Sequence, residues 1–241
     1  MLEPIAQTSP RVLARMTGLF FLLTIITGIF AQGFVSERLI ISGDAAATAV
    51  NILTHRSLYT LGFTVYMIEM ACQIVMTVLF YSLLSPVNKT VALLSMTLGL
   101  TGCVIKTFGR VFYLAPLFLL GDTGSAHYLG VFSTEQVQAL SLLLLNVNDR
   151  AAGMGLAFFG FSDAVQGYLI FKSTFLPRWL GSVSFIAALG WMTFVYPPLG
   201  YNLFLYLAGF GLLVSAVMIF WLLVKGVDER RWKEQDAVSR S

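Results

Sequence analysis

From Met16 to Val35 no side chain carries a charge, and as a helix that run reaches about 30 Å, the thickness of a bilayer's hydrocarbon core. Five further stretches are built the same way, at 58–84, 90–120, 151–171, 179–196 and 202–224. A soluble domain has no interior large enough for six such segments. The charged fraction agrees: 11% here, against about 25% in an ordinary soluble domain. The chain therefore reads as an all-α integral membrane bundle of six transmembrane helices, a single domain over 1–241, with short interfacial helices in the outer-side loops.

The first run follows Arg11 and Arg15, is longer than the apolar core of a signal peptide, and has no small-x-small cleavage site after it. It is expected to be a retained helix. Pro116 should kink the far end of the third span. Between spans, 42–53 reads as a short helix capped near Gly43 and Asp44. Ser133 and Gln136 have capping-box spacing, and the apolar run 137–145 beyond them either lies at the interface or leads into the fourth span.

Lysine and arginine in the short flanks set the orientation. With the N-terminus inside, the inner flanks hold Arg11, Arg15, Lys89, Lys172, Arg178, Lys225, Arg230, Arg231, Lys233 and Arg240, whereas the outer flanks hold Arg38, Arg56 and Arg150. That asymmetry predicts cytoplasmic termini, an even number of spans and, for a bacterial chain, residence in the inner membrane. The basic residues form no patch, so nucleic acid is not expected as a partner; membrane lipids are. Nothing in the sequence specifies an oligomer.

Charges inside a span cost about 2.5–3.5 kcal/mol each on insertion scales and need partners. Four occur: Glu69, Lys106, Arg110 and Asp163. Counted from the tight turn 85–89, Glu69 lies about 22 Å up the second span and Lys106 about 24 Å up the third. Antiparallel neighbours would bring the two together as an ion pair. Tyr66, Glu69 and Gln73 share one helical face, and Lys106, Arg110 and Tyr113 share another. Arg110 is expected higher, near Asp149, Arg150 and Asn146. Asp163 and Gln166 share a face of the fourth span, Asp163 about 13 Å from the inner side. Tyr66, Glu69, Gln73, Lys106, Arg110, Tyr113 and Asp163 thus form the expected ligand-binding set, with Glu69 and Asp163 the candidate acids or bases.

Other signals point to packing. Cys72 and Cys103 sit in apolar runs and give neither a disulfide framework nor a metal-finger spacing. His55, His127 and Asp122 match no zinc motif, and no span holds a histidine that could ligate haem. No metal or cofactor is expected. Gly99 with Gly102, and Gly153 with Gly155, read as close helix contacts rather than phosphate loops. Phe158, Phe159, Trp179, Trp191, Tyr196, Tyr201 and Trp221 read as lipid-facing or interfacial aromatics.

Four segments carry a family resemblance: SGDAAATAVNI at 42–52, LSPVNK at 84–89, GYLIFKSTFLPRWLG at 167–181 and WLLVKGV at 221–227. In order and spacing they resemble a bacterial family, the domain of unknown function numbered 4386. The resemblance implies a multi-pass membrane protein and brings no assigned catalytic residues with it.

Three function classes fit the polar seam. The first is an intramembrane charged pocket that binds a small or amphipathic molecule, for transport or sensing. The second is an enzyme acting on a lipid or isoprenoid, with Glu69 or Asp163 as general acid or base and Lys106 and Arg110 stabilising negative charge. The third is a scaffold whose buried pair fixes helix register.

Overall fold

The computed structural model describes residues 9–121 and 131–240, and nearly all of them are helical. Helix α1 covers Pro10–Ile29, and Ser9 Oγ accepts the amide of Val12 at its start. It continues through a π-helical turn, Phe30–Ser36, to Leu39. The short helix α2, Ala45–Thr54, opens where expected. Gly43 takes φ +80°, and Asp44 Oδ1 accepts the amide of Ala47 at 2.8 Å. Then come α3, Arg56–Leu84, and α4, Lys89–Leu114. After α4 the helix breaks at Ala115, and Pro116 begins one more turn, Pro116–Leu119.

Helix α5 runs unbroken over Thr134–Lys172. The capping box forms at its start: Gln136 Oε1 accepts the Ser133 amide at 2.8 Å, and Ser133 Oγ accepts the Gln136 amide at 3.3 Å. The run 137–145 therefore leads into the fourth span. No proline interrupts α5, and at about 58 Å it is almost twice a bilayer core in length. Helices α6, Arg178–Met192, and α7, Pro197–Phe220, are joined through a short 3-10 turn, Thr193–Val195, and Pro197 starts α7. A second π-helical turn, Trp221–Lys225, leads to α8, Glu229–Arg240. Among the described residues six segments are long and apolar enough to cross a membrane, and the chain is a multi-pass membrane protein.

The chain resolves into two compact units that interleave in sequence, the boundaries falling inside the long helices. The first holds residues 1–23, 72–103 and 153–241. Its core gathers Leu79, Phe80, Leu83, Leu169, Leu180 and Leu222. Ser95 and Ser162 lock two helices by donating reciprocally to each other's carbonyls, at 3.0 and 2.8 Å. A Cβ on Gly102 would fall 2.7 Å from the Phe159 ring and one on Gly153 2.8 Å from the Tyr201 hydroxyl, which makes both glycines close-contact points. Trp191 and Phe159 pack against glycines of neighbouring helices, so these two differ from the lipid-facing role expected of them; Trp179 and Tyr196 are exposed. Helix α8 is tied down by the Trp232 indole, which donates to the Leu83 carbonyl at 2.9 Å, and by Gln235 Oε1, which accepts from Thr174.

The second unit holds residues 24–71 and 104–152. Its buried cluster differs in kind, because its largest members are three tyrosines, Tyr59, Tyr66 and Tyr113, packed with Val35, Ile52 and Leu145. A core made of phenols must supply hydrogen-bond partners inside the fold, and that requirement builds the site.

Candidate functional site

The site grows from the end of α1. A π-helical turn fits more residues into each turn than an α-helix does, so the side chains beyond it fall on a different face. Gln32 and Ser36 emerge from that turn onto the tyrosines. The Tyr66 hydroxyl donates to Gln32 Oε1 at 2.6 Å, and it shares a hydrogen bond with Ser36 Oγ at 3.0 Å. Ser36 Oγ also donates to the Tyr113 hydroxyl at 3.3 Å. Tyr59 stacks on Tyr113 with ring centroids 4.5 Å apart and donates its hydroxyl to the Tyr113 carbonyl. Tyr66 meets Tyr113 edge to face. A Cβ on Gly62 would lie 2.7 Å from Val35, so only glycine lets the end of α1 approach α3 this closely.

One turn along α3 from Tyr66, Glu69 is 5% exposed, and its Oε1 accepts from Lys106 Nζ at 2.5 Å. The ion pair expected between the second and third spans is present. Oε1 also faces α1, where a Cβ on Gly28 would come within 3.2 Å of it. The other carboxylate oxygen, Oε2, is buried and has no partner among the described residues.

One turn beyond Lys106, Arg110 is 2% exposed. Its guanidinium lies over the Tyr66 ring, 3.4 Å from the centroid. Its NH1 donates to Asn148 Oδ1 at 3.0 Å, and Asn148 Nδ2 in turn donates to Asp149 Oδ1 at 3.0 Å. Arg110 Nε is buried with no partner among the described residues, as is Thr107 Oγ1. The arrangement therefore holds two fixed cations and one fixed carboxylate, with an unused acceptor on Glu69 and an unused donor on Arg110. In a medium of low dielectric, such groups keep most of their hydrogen-bonding strength for whatever reaches them.

Of the seven residues expected from sequence, the second unit brings together Tyr66, Glu69, Lys106, Arg110 and Tyr113. Gln73 and Asp163 belong to the first unit, where both are half-buried, and Asp163 makes no ion pair among the described residues. Asn146 is exposed, and Asn148, two residues further on, is the amide that meets Arg110. Gln32, Ser36, Tyr59 and Asn148 were not in the expected set. The one sequence signal for them was a glutamine, Gln32, inside an otherwise apolar span. Among the described residues no group of histidine, cysteine and carboxylate could hold a metal ion; His55 is exposed, while His127 and Asp122 lie outside the described residues.

The family described as "Domain of unknown function (DUF4386)" matches residues 16–226. A 74-residue stretch, 30% of this chain, is 34% identical to an uncharacterized protein of Archaeoglobus fulgidus. The match covers 44% of that relative, so the chain spans less than half its length. No solved structure matches the chain.

Proposed function

We propose that this chain, which belongs to the DUF4386 family, binds a small or amphipathic molecule at the charged cluster of Glu69, Lys106 and Arg110, within the membrane, for transport or sensing. The observation that carries this reading is that Glu69 Oε2 and Arg110 Nε are buried without a partner among the described residues. A buried polar atom without a partner costs about 1–3 kcal/mol, and more when it is charged. A cluster serving only to pin helix register needs the Glu69–Lys106 pair and nothing else. Here a second cation is added, its flat face is held by Tyr66 and one edge by Asn148, and its Nε is left open. That is how a recognition group is preorganised. Lys106, whose side chain is 14% exposed, is the more accessible partner of the pair and the natural point of entry.

Surrounding lipid is the immediate partner of the apolar helix faces. The bias of lysine and arginine supports a bacterial inner-membrane location with both termini cytoplasmic, which places the entry nearer the outer leaflet.

A double-mutant cycle tests the binding reading against a purely structural one. Glu69→Gln alone strands Lys106 and should cost about 3–5 kcal/mol of stability. Glu69→Gln with Lys106→Met replaces the pair by neutral groups and should recover much of that loss. Native mass spectrometry of the purified protein, together with growth of a strain carrying the variant as its only copy, reads function. If stability returns while the bound molecule and the growth phenotype stay lost, the charges serve a ligand. If the double variant regains both, the pair is structural and the proposal fails.

A further inference from the structure

We infer that the basic end of the first unit binds the headgroups of phospholipids that carry a net negative charge, in preference to zwitterionic ones. The surface lies wholly within that unit and uses none of the residues assigned to the charged cluster above.

Buried contacts gather the helix ends that build this surface. Leu13 near the start of α1, Leu84 at the end of α3, Ala92 in the first turn of α4, Phe175 between α5 and α6, and Val227 after the last span share one core. A Cβ on Gly226 would meet Arg11 Cγ at 3.2 Å, so the start of α1 runs beside the end of the last span. The Asp228 amide donates to the Phe175 carbonyl at 3.3 Å, and the Trp232 indole holds α8 to the end of α3. Those helix ends carry six cations: Arg11, Arg15, Lys89, Lys172, Arg178 and Lys225. All six are exposed, and none makes an ion pair among the described residues.

The carboxylates of the unit do not cancel that charge. Residues 228–240 hold four basic and four acidic side chains, so this tail balances itself. Arg230 pairs with Glu234 and Arg231 with Asp228. Among the described residues the unit has one further carboxylate, Asp163, nine residues from Lys172 and therefore about 14 Å along α5 from the basic end.

Apolar and aromatic side chains interleave with the six cations and set the partner's class. Val12 and Met16 are exposed next to Arg11 and Arg15, and Val224 next to Lys225. Trp179, next to Arg178, meets Trp221 edge to face with ring centroids 5.8 Å apart. Indoles settle at the depth of lipid headgroups, and lysine and arginine stems lie along apolar surface while their charged ends reach the phosphates. A soluble anion would neutralise the cations but leave the apolar side chains uncovered. A zwitterionic lipid brings a cation with every phosphate and leaves the surplus charge in place. A lipid with a phosphodiester and no compensating ammonium, such as phosphatidylglycerol, satisfies both halves of the surface.

Tryptophan quenching tests the preference directly. The full-length protein is reconstituted in vesicles that mix phosphatidylcholine with phosphatidylglycerol, and brominated chains are placed on one lipid or the other. The two quenchers share the same chains, so tryptophans away from the surface respond to both alike. A basic residue near an anionic surface is worth about fivefold in binding, so phosphatidylglycerol should be preferred by at least about that factor at low salt, and less as salt is raised. The triple variant Arg11→Gln, Arg178→Gln, Lys225→Gln keeps much of each stem and should lose most of the preference. Arg230→Gln, whose charge is paired on α8, should leave it unchanged. At constant ionic strength, inorganic pyrophosphate should not displace phosphatidylglycerol; displacement would assign the surface to soluble anions and overturn the lipid assignment. Equal quenching by the two lipids, or a triple variant with its preference intact, overturns the inference as well. If the triple variant does not insert, the two lipids and the salt series on the unaltered protein decide alone.

Discussion

Arg110 lies flat over the ring of Tyr66, its guanidinium carbon 3.4 Å from the centroid, and the hydroxyl of that same tyrosine reaches the other way to Gln32. Tyr66 thus joins the charged layer to the end of α1, and its ring and its hydroxyl have separable effects. Tyr66→Phe keeps the cation–π contact but takes the donor from Gln32 Oε1 and leaves Ser36 with Tyr113 alone, and should cost about 1–3 kcal/mol in a denaturant titration in mixed micelles. Tyr66→Leu also removes the ring under Arg110, and should cost about 2 kcal/mol more. Equal losses for the two variants would show that the ring contributes nothing to holding Arg110.

Asn148 supplies the second hold on Arg110. Asn148→Leu removes the acceptor at NH1 and should destabilise the chain by about 1.5–3 kcal/mol, because a buried guanidinium loses a charge-assisted bond. Asn146→Leu, on the exposed side of the same helix, should change stability by less than about 0.5 kcal/mol. Thermal unfolding of the two variants side by side checks the contrast.

The six spans were legible because a helix crossing lipid must be apolar along its whole length, and that requirement writes itself into hydropathy. The Glu69–Lys106 pair was legible for a related reason. The tight turn after α3 fixes where counting begins, and 1.5 Å per residue carries both groups to similar heights. Gln32 and Ser36 were hidden by the π-helical turn Phe30–Ser36, since a count at 3.6 residues per turn places side chains beyond it on the wrong face. Asn148 rather than Asn146 meets Arg110 because α5 is one continuous helix from Thr134, and its rotational phase is set by packing along its length. The boundary between the two units falls within helices and leaves no mark in composition, so the assignment of Gln73 and Asp163 to the first unit could not be read from sequence.

The proposed orientation makes a direct prediction. Reporter fusions at Lys89 and at Arg240 should both report cytoplasm, and one at Gly43, in the turn before α2, should report the outside. An external signal at Lys89 would reverse the orientation and move the entry to the inner leaflet.

Gly28 and Gly33 give the sharpest comparison, because both are glycines near the end of α1 and only one faces the site. A Cβ on Gly28 would lie 3.2 Å from Glu69 Oε1 and 3.4 Å from its carboxyl carbon, whereas a Cβ on Gly33 would meet nothing within 4 Å. Relief at Gly28 requires the carboxylate to shift by a few tenths of an ångström. That oxygen is the one held by Lys106 at 2.5 Å, so the shift must be taken from the ion pair. Gly28→Ala is therefore expected to destabilise by about 1–3 kcal/mol, the range for overpacking a filled site, even though alanine is the better helix former. It should also lower the amount of any molecule retained at the cluster, since Glu69 Oε2 moves with the rest of the carboxylate. Gly33→Ala gains helix propensity without a clash and should be neutral or stabilising by up to about 1 kcal/mol, with binding unchanged. Denaturation midpoints and native mass spectra for the two variants, measured together, check this: if Gly28→Ala behaves like Gly33→Ala in both, the carboxylate is not held where its contacts with Lys106 and α1 put it.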